Sequence, residues 1–151
     1  MPVMSNDEIY SFLTKSSLIM KLSTLSSDGW PYIIPIWYQY DGSSLIALGR
    51  QQSRWVKHIR KDSRISACID TPVAPYKRVI IKGIATIEDE GFVGDWESMA
   101  HRYMGIEIGR TYYENTKHTP RILVKIKPDL ITSWSGPGWH PRYEGWSDSS
   151  L

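Results

Sequence analysis

Cysteine is nearly absent: Cys68 is the one thiol in 151 residues. A single cysteine excludes an internal disulfide and a zinc centre built on thiolates. It makes a reducing cytoplasm the expected compartment. Charge of one sign is also missing. The 18 Lys and Arg stand against 16 Asp and Glu, a net charge of +2, too small to point to nucleic acid. No apolar run approaches the roughly 20 residues that cross a bilayer, so no membrane partner is expected. The opening MPVMSNDEIYSFL has neither the basic stretch nor the apolar core of a signal peptide. The four histidines, His58, His101, His118 and His140, have no ligand spacing, so no metal is expected. There is no Gly-x-Ser-x-Gly elbow, and Gly105–Gly109 lacks the Lys-Ser/Thr of a phosphate loop.

Tryptophan and tyrosine are plentiful: 7 Trp and 9 Tyr stand beside 2 Phe. Both rings carry a polar handle and recur at wet interfaces and ligand sites. The length fits one domain over residues 1–151, and no linker or repeat divides it.

Local patterns give a chain of short elements. Residues 5–16 read as a helix capped by Ser5 or Asn6, with Ile9, Phe12 and Leu13 on one face. Residues 18–25 read as a strand, and Ser27-Asp28-Gly29 as a turn. A second strand is expected over Tyr32–Tyr40, where Pro35 marks an edge or a bulge. After the Asp41-Gly42 turn, Ser44–Leu48 forms a third. Ser53 then caps a short helix that buries Trp55, Val56 and Ile59. Ile65–Asp70 and Arg78–Glu88 are strands, the second with Gly83 as a bulge or close-approach point. Cys68 reads as a small core residue. Phe92, Trp96, Met99, Ala100 and Tyr103 recur at helical spacing, and Ile108–Tyr113 follows as a second helix beyond Gly105. Arg121–Lys127 and Asp129–Trp134 complete the strands, ahead of a Gly/Pro-rich aromatic tail. The early connections are too short for crossover helices. The expected class is therefore mainly β (α+β), a small closed or half-closed antiparallel barrel with short flanking helices.

One segment is strongly basic: Arg50, Arg54, Lys57, Arg60, Lys61 and Arg64 surround a single Asp62. Ser53 and Arg54 open a helix, where free N–H groups and the positive dipole end favour an anion. The same residues would also make a solvated basic face, and composition leaves both readings open. Ile36 and Trp37 on the neighbouring strands would supply a flat apolar slot. A slot beside a phosphate anchor suits a phosphorylated planar cofactor.

The run DGWPYIIPIWYQYDGSSLIALGRQQSRWVKHIRKDSRISACID resembles the core of the pyridoxamine-5′-phosphate-oxidase-like, FMN-binding split-barrel family. PYKRVIIKGIATIED and ITSWSGPGWHPRY match later family segments in the same order. The resemblance implies a six-stranded split barrel that works as a homodimer, with flavin at the interface. It places the ring against Pro35, Ile36 and Trp37 and against Leu48 and Gly49. It places the phosphate on Ser53 and Arg54, and a polar contact on Arg78 beside the ring's polar edge. From the second subunit it implies Trp134 and Arg142. Family members often carry Lys directly after the Ser-Arg pair; this chain has Trp55 there, with Lys57 as the substitute cation. That departure keeps the deazaflavin F420 as the alternative cofactor. The implied activity is FMN-dependent oxidoreduction of a small organic substrate. The alternatives are an F420-dependent reductase and a flavin-binding, storage or sensing module without turnover.

Overall fold

A computed structural model describes residues 3–136. Its elements are α1 (Asn6–Lys15), β1 (Met20–Leu25), β2 (Pro31–Ile36), β3 (Gln39–Tyr40), β4 (Leu45–Gly49), α2 (Arg54–Lys61), β5 (Arg64–Asp70), β6 (Lys77–Phe92), α3 (Glu97–Met104), α4 (Ile106–Thr116) and β7 (Arg121–Ser135). The strands form one antiparallel sheet in the order β2-β1-β5-β6-β7-β4-β3.

That order dictates the shape. The edge strands β2 and β3 are joined by Trp37 and Tyr38 alone. Three Cα steps reach at most about 11 Å. A flat sheet of this width would hold its edges roughly 29 Å apart at the usual strand spacing. The sheet must therefore curl until its edges meet, as a split barrel. Alternation decides what fills it: Met20, Leu22, Leu45, Ala47, Ile69, Val79, Ile81, Val124 and Ile126 are all buried on the inner face.

The barrel has seven strands where six were expected. The expected strand over residues 32–40 is interrupted at the seam, where Tyr38 turns fully inward. Pro35 sits on the edge strand β2, where its missing N–H costs no ladder bond. The two expected final strands are one, β7, which runs through Pro128 opposite Gly83. Phe92 belongs to β6: register shifts between Ile87 and Asp89, and between Asp89 and Phe92, keep that strand paired beyond its apolar stretch. Cys68 is half-buried on the outer face, between the inward Ala67 and Ile69. Burial pushes its thiol pKa up.

The helices close the ends. In α1, the Ser5 hydroxyl accepts from Glu8 N (3.2 Å) and Ser5 N donates to Glu8 Oε2 (2.7 Å), a reciprocal cap. Leu13 of α1 is fully buried, and Tyr38 Oη donates to its carbonyl at 2.9 Å. Arg102 Nη2 donates to the same carbonyl at 2.8 Å.

Burial pushes the Tyr38 pKa up to about 12. The folded value exceeds the ordinary 10.0, so the folded state holds this proton more tightly. The resulting stability, on the order of 2–3 kcal/mol at 1.36 per unit, is complete below about pH 10. It is lost as pH rises through about 12. Tyr38→Phe should cost about 1 kcal/mol at neutral pH, since Arg102 keeps the Leu13 carbonyl satisfied. It should also flatten the stability loss between pH 10 and 12, read by denaturant melts at each pH.

Candidate functional site

Curling the sheet brings the end of β2 beside the end of β4. The seam between them opens as a cleft of about 250 Å³. Pro35, Ile36 and Trp37 form one side, and Leu48, Gly49 and Arg50 another. Five residues expected at a ring-binding slot therefore meet in one place.

Gly49 joins the cleft to α2. A Cβ there would lie 2.6 Å from Trp55 Cζ2 and 2.9 Å from Val56 Cγ2. The helix consequently packs against the backbone of the cleft floor. Ser53 stands at its N-cap but does not cap it; its hydroxyl accepts from Arg50 N at 3.1 Å. The first N–H groups of α2 receive no side-chain cap bond among the described residues. Arg54 and Lys57 are exposed on the rim, and Arg54 lies over the Tyr32 ring at 5.6 Å. Neither they nor Arg50 pair with a carboxylate among the described residues. Arg60 and Arg64 do pair, with Glu90 at 3.0 Å and Asp62 at 2.7 Å. The basic segment thus divides into two neutralised cations, Arg60 and Arg64, three that face solvent from Arg50 through the first turn of α2, and Lys61, exposed at the far end of that helix. Trp55 is 5% exposed and points into the core, so the position after Ser53-Arg54 supplies no cation.

The far wall comes from α3 and α4. Gly105 turns between them with φ +81°, the left-handed region where glycine is favoured. The helices then cross closely at Gly109, where a Cβ would lie 2.7 Å from Ala100 O. This crossing presents Trp96, Met99 and Tyr112 to the cleft, joined by Arg121 from the start of β7. Trp37 stacks on Tyr103, with centroids 5.0 Å apart and planes at 7°. The Tyr103 hydroxyl accepts from Tyr38 N (3.2 Å) and donates to Leu18 O (3.0 Å), which fixes the stack to the seam. Tyr112 meets Trp37 edge-on at 6.0 Å and Trp96 at 5.6 Å. Arg121 lies over Trp96 at 4.0 Å.

Sequence reasoning missed this wall. Trp96 and Met99 were visible as an apolar helix face, and Arg121 as the charge opening an alternating strand. Nothing local showed that both turn toward the seam.

Arg78 and Trp134 lie elsewhere. They pair across β6 and β7, with the Arg78 guanidinium 5.7 Å from the Trp134 ring centroid. Phe92 and Arg121 pair at the opposite end of that ribbon. Across the sheet, the row Ile36–Met20–Ile69–Val79 separates Arg78 from Pro35 by three strand spacings. Arg78 is on the outer face, so within one subunit it does not meet the cleft. Arg142 and His140 lie outside the described residues.

Solved structures share this architecture. An F420 reductase is 20% identical with a TM-score of 0.65, over 80% of this chain and 94% of its own. A FAD-binding protein from Mesorhizobium loti is 19% identical with a TM-score of 0.63, over 91% of this chain and 97% of its own. A conserved hypothetical protein from Mycobacterium tuberculosis is 24% identical with a TM-score of 0.68, over 91% and 92%. At these identities the likeness establishes the fold. No curated protein matches the chain. The family model described as pyridoxamine 5'-phosphate oxidase matches residues 5–135, nearly the whole described chain, and the protein belongs to that family.

Proposed function

We propose that the chain is a flavin-dependent oxidoreductase that binds FMN at a homodimer interface and acts on a small organic substrate. The carrying observation is the aromatic cleft whose Gly49 floor packs against α2, a helix without a side-chain N-cap bond whose start, with Arg50, carries three cations that have no carboxylate among the described residues. Trp37 and Ile36 would face the ring, with Leu48 and Gly49 beneath it. Ser53, Arg54, Lys57 and Arg50 would hold the phosphate, with the first N–H groups of α2 adding to them. When bound, the flavin would carry the electrons, and the protein would orient it and shape its surroundings.

The cleft is smaller than the roughly 300–1,000 Å³ of a whole ligand pocket, which suits a ring alone. The remainder of the cofactor would lie over the α2 rim and against a second subunit. The outer sheet face fits that role. Ile33 is 65% exposed and Leu130 52%, and Pro35, Arg78 and Trp134 share the same face. A second copy docked there would bring its own Arg78 and Trp134 toward the first copy's cleft.

This is tested by Ile33→Glu and by truncation after Gly136. The cut leaves β7 whole and removes Arg142. Ile33→Glu should sediment as a monomer, and both variants should bind FMN at least tenfold more weakly than the parent dimer. A monomeric parent that binds FMN equally well would contradict the shared site.

Trp55 supports a second reading, F420 as the cofactor. Its burial removes a cation that FMN-binding relatives often carry, and a fold neighbour is named F420 reductase. Retention of F420 through desalting, with loss of FMN, selects that reading.

A further inference from the structure

Arg54 differs from the paired arginines of the basic segment in what holds it. Glu90 holds Arg60 at 3.0 Å, and Asp62 holds Arg64 at 2.7 Å. Arg54 forms no hydrogen bond or ion pair among the described residues. Its guanidinium lies instead over the Tyr32 ring, 5.6 Å from the centroid. A carboxylate would neutralise the cation and occupy its N–H groups. A ring face attracts the cation and leaves all its N–H groups free.

The ring is itself held. Tyr32 stands on β2 opposite Thr24 of β1. Thr24 is 1% exposed, and its hydroxyl shares a hydrogen bond of 2.9 Å with His58 Nδ1. His58 meets the Tyr32 ring edge-on, with centroids 5.3 Å apart and planes at 89°. Arg54 and His58 are both on α2, one turn apart. Thr24, His58, Tyr32 and Arg54 therefore form a circuit from the barrel wall to the helix and back. Arg50 and Lys57 have no ring beneath them among the described residues, so they contribute charge without direction.

A long side chain loses rotamer freedom when it grips an anion. A guanidinium already resting on a fixed ring has less to lose, and its fork keeps one plane. We propose that Tyr32, held by His58 and Thr24, is a positioning residue that presents the Arg54 guanidinium to a phosphate. The proposal deepens the flavin reading and rests on it only for the identity of that phosphate as FMN's.

The test measures the affinities of the full chain for inorganic pyrophosphate and for FMN. Nitrogen-15 relaxation at Arg54 Nε reads the order of the side chain without either ligand. Tyr32→Leu should weaken both ligands about three- to tenfold and set Arg54 Nε–H moving. Tyr32→Phe keeps the ring and should match the wild type in affinity and order. His58→Ala should act in the same direction as Tyr32→Leu, by a smaller factor. In an Arg54→Ala background, Tyr32→Leu should change neither affinity further. Circular dichroism checks folding. If Tyr32→Leu does not fold, His58→Ala with and without Arg54→Ala carries the test. Equal Arg54 order in the wild type and Tyr32→Leu overturns the positioning role. So does a loss in Tyr32→Phe as large as in Tyr32→Leu, a loss that survives Arg54→Ala, or no response of Arg54 to either anion. The two ligands separate the two claims. Ring-dependent order and pyrophosphate binding in a chain that never retains FMN sink the flavin reading alone; retained FMN whose affinity ignores Tyr32 sinks the positioning role alone.

Discussion

Replacing Arg50 and Arg54 together with alanine should release FMN from the protein while leaving its fold intact. Both side chains are exposed and neither is held by a carboxylate among the described residues, so their loss removes little from the folded chain. Each charged hydrogen bond to the phosphate is worth about 1.5–3 kcal/mol. Losing two raises Kd roughly 10²- to 10⁴-fold. Riboflavin lacks the phosphate, so its weaker affinity should hardly change, and that contrast locates the effect. Fluorescence titration of both flavins reads it. Equal losses for FMN and riboflavin would place the arginines at the ring, and no loss for either would leave them a solvated face.

Gly83→Ala should cost more stability than alanine at any other described glycine, since the added methyl meets the closest contact there. Gly83 sits where the β6–β7 register shifts, opposite Pro128. An added Cβ would stand 2.3 Å from Lys127 O and 3.2 Å from Pro128 Cα. Both are backbone atoms, so no side chain can swing away, and the ribbon must move. Overpacking of this kind costs about 1–3 kcal/mol, occasionally more. At about 2–4 °C per kcal/mol for a chain of this length, a 3 kcal/mol loss lowers Tm by roughly 6–12 °C. Calorimetry of wild type and variant checks it. An unchanged Tm would mean that the close approach of the two strands relaxes freely.

Gly83, Ser5 and Pro35 show what a local pattern can carry. Gly83 was readable as a close-approach point because a lone glycine in a β-branched strand has few other uses. Ser5 was readable, with Asn6, as a helix start, and Pro35 as an edge or bulge, because each acts within a turn or a ladder position of itself. Ile36 and Trp37 were readable as a slot beside the basic segment, Pro35, Leu48 and Gly49 reached the candidate site through the family resemblance, and the cleft brings the five together.

What stayed hidden depends on closure of the barrel. The strand over residues 32–40 breaks because Trp37 and Tyr38 must turn the chain from one sheet edge to the other. That requirement exists only once seven strands are paired. Phe92 read as helical because its spacing to Trp96 fits a helix; the bulges that keep it in β6 depend on pairing with β7. Trp96 and Arg121 meet across 25 residues by way of α3, α4 and a strand start, and no period connects them. Arg78 and Trp134 illustrate the opposite limit. They pair with each other on the outer face, and only a second subunit would carry them to a cleft.

The central claim is that the seam of this barrel holds a phosphorylated flavin. The most direct test is the absorption spectrum of the purified chain after incubation with FMN and desalting. The account predicts that bands in the blue and near-ultraviolet persist in the wild type, near one flavin per subunit, and vanish in the Arg50→Ala/Arg54→Ala double variant. A wild-type protein that emerges colourless would contradict FMN binding and turn the cleft over to F420. Bands that persist equally in the double variant would contradict the phosphate anchor at the start of α2.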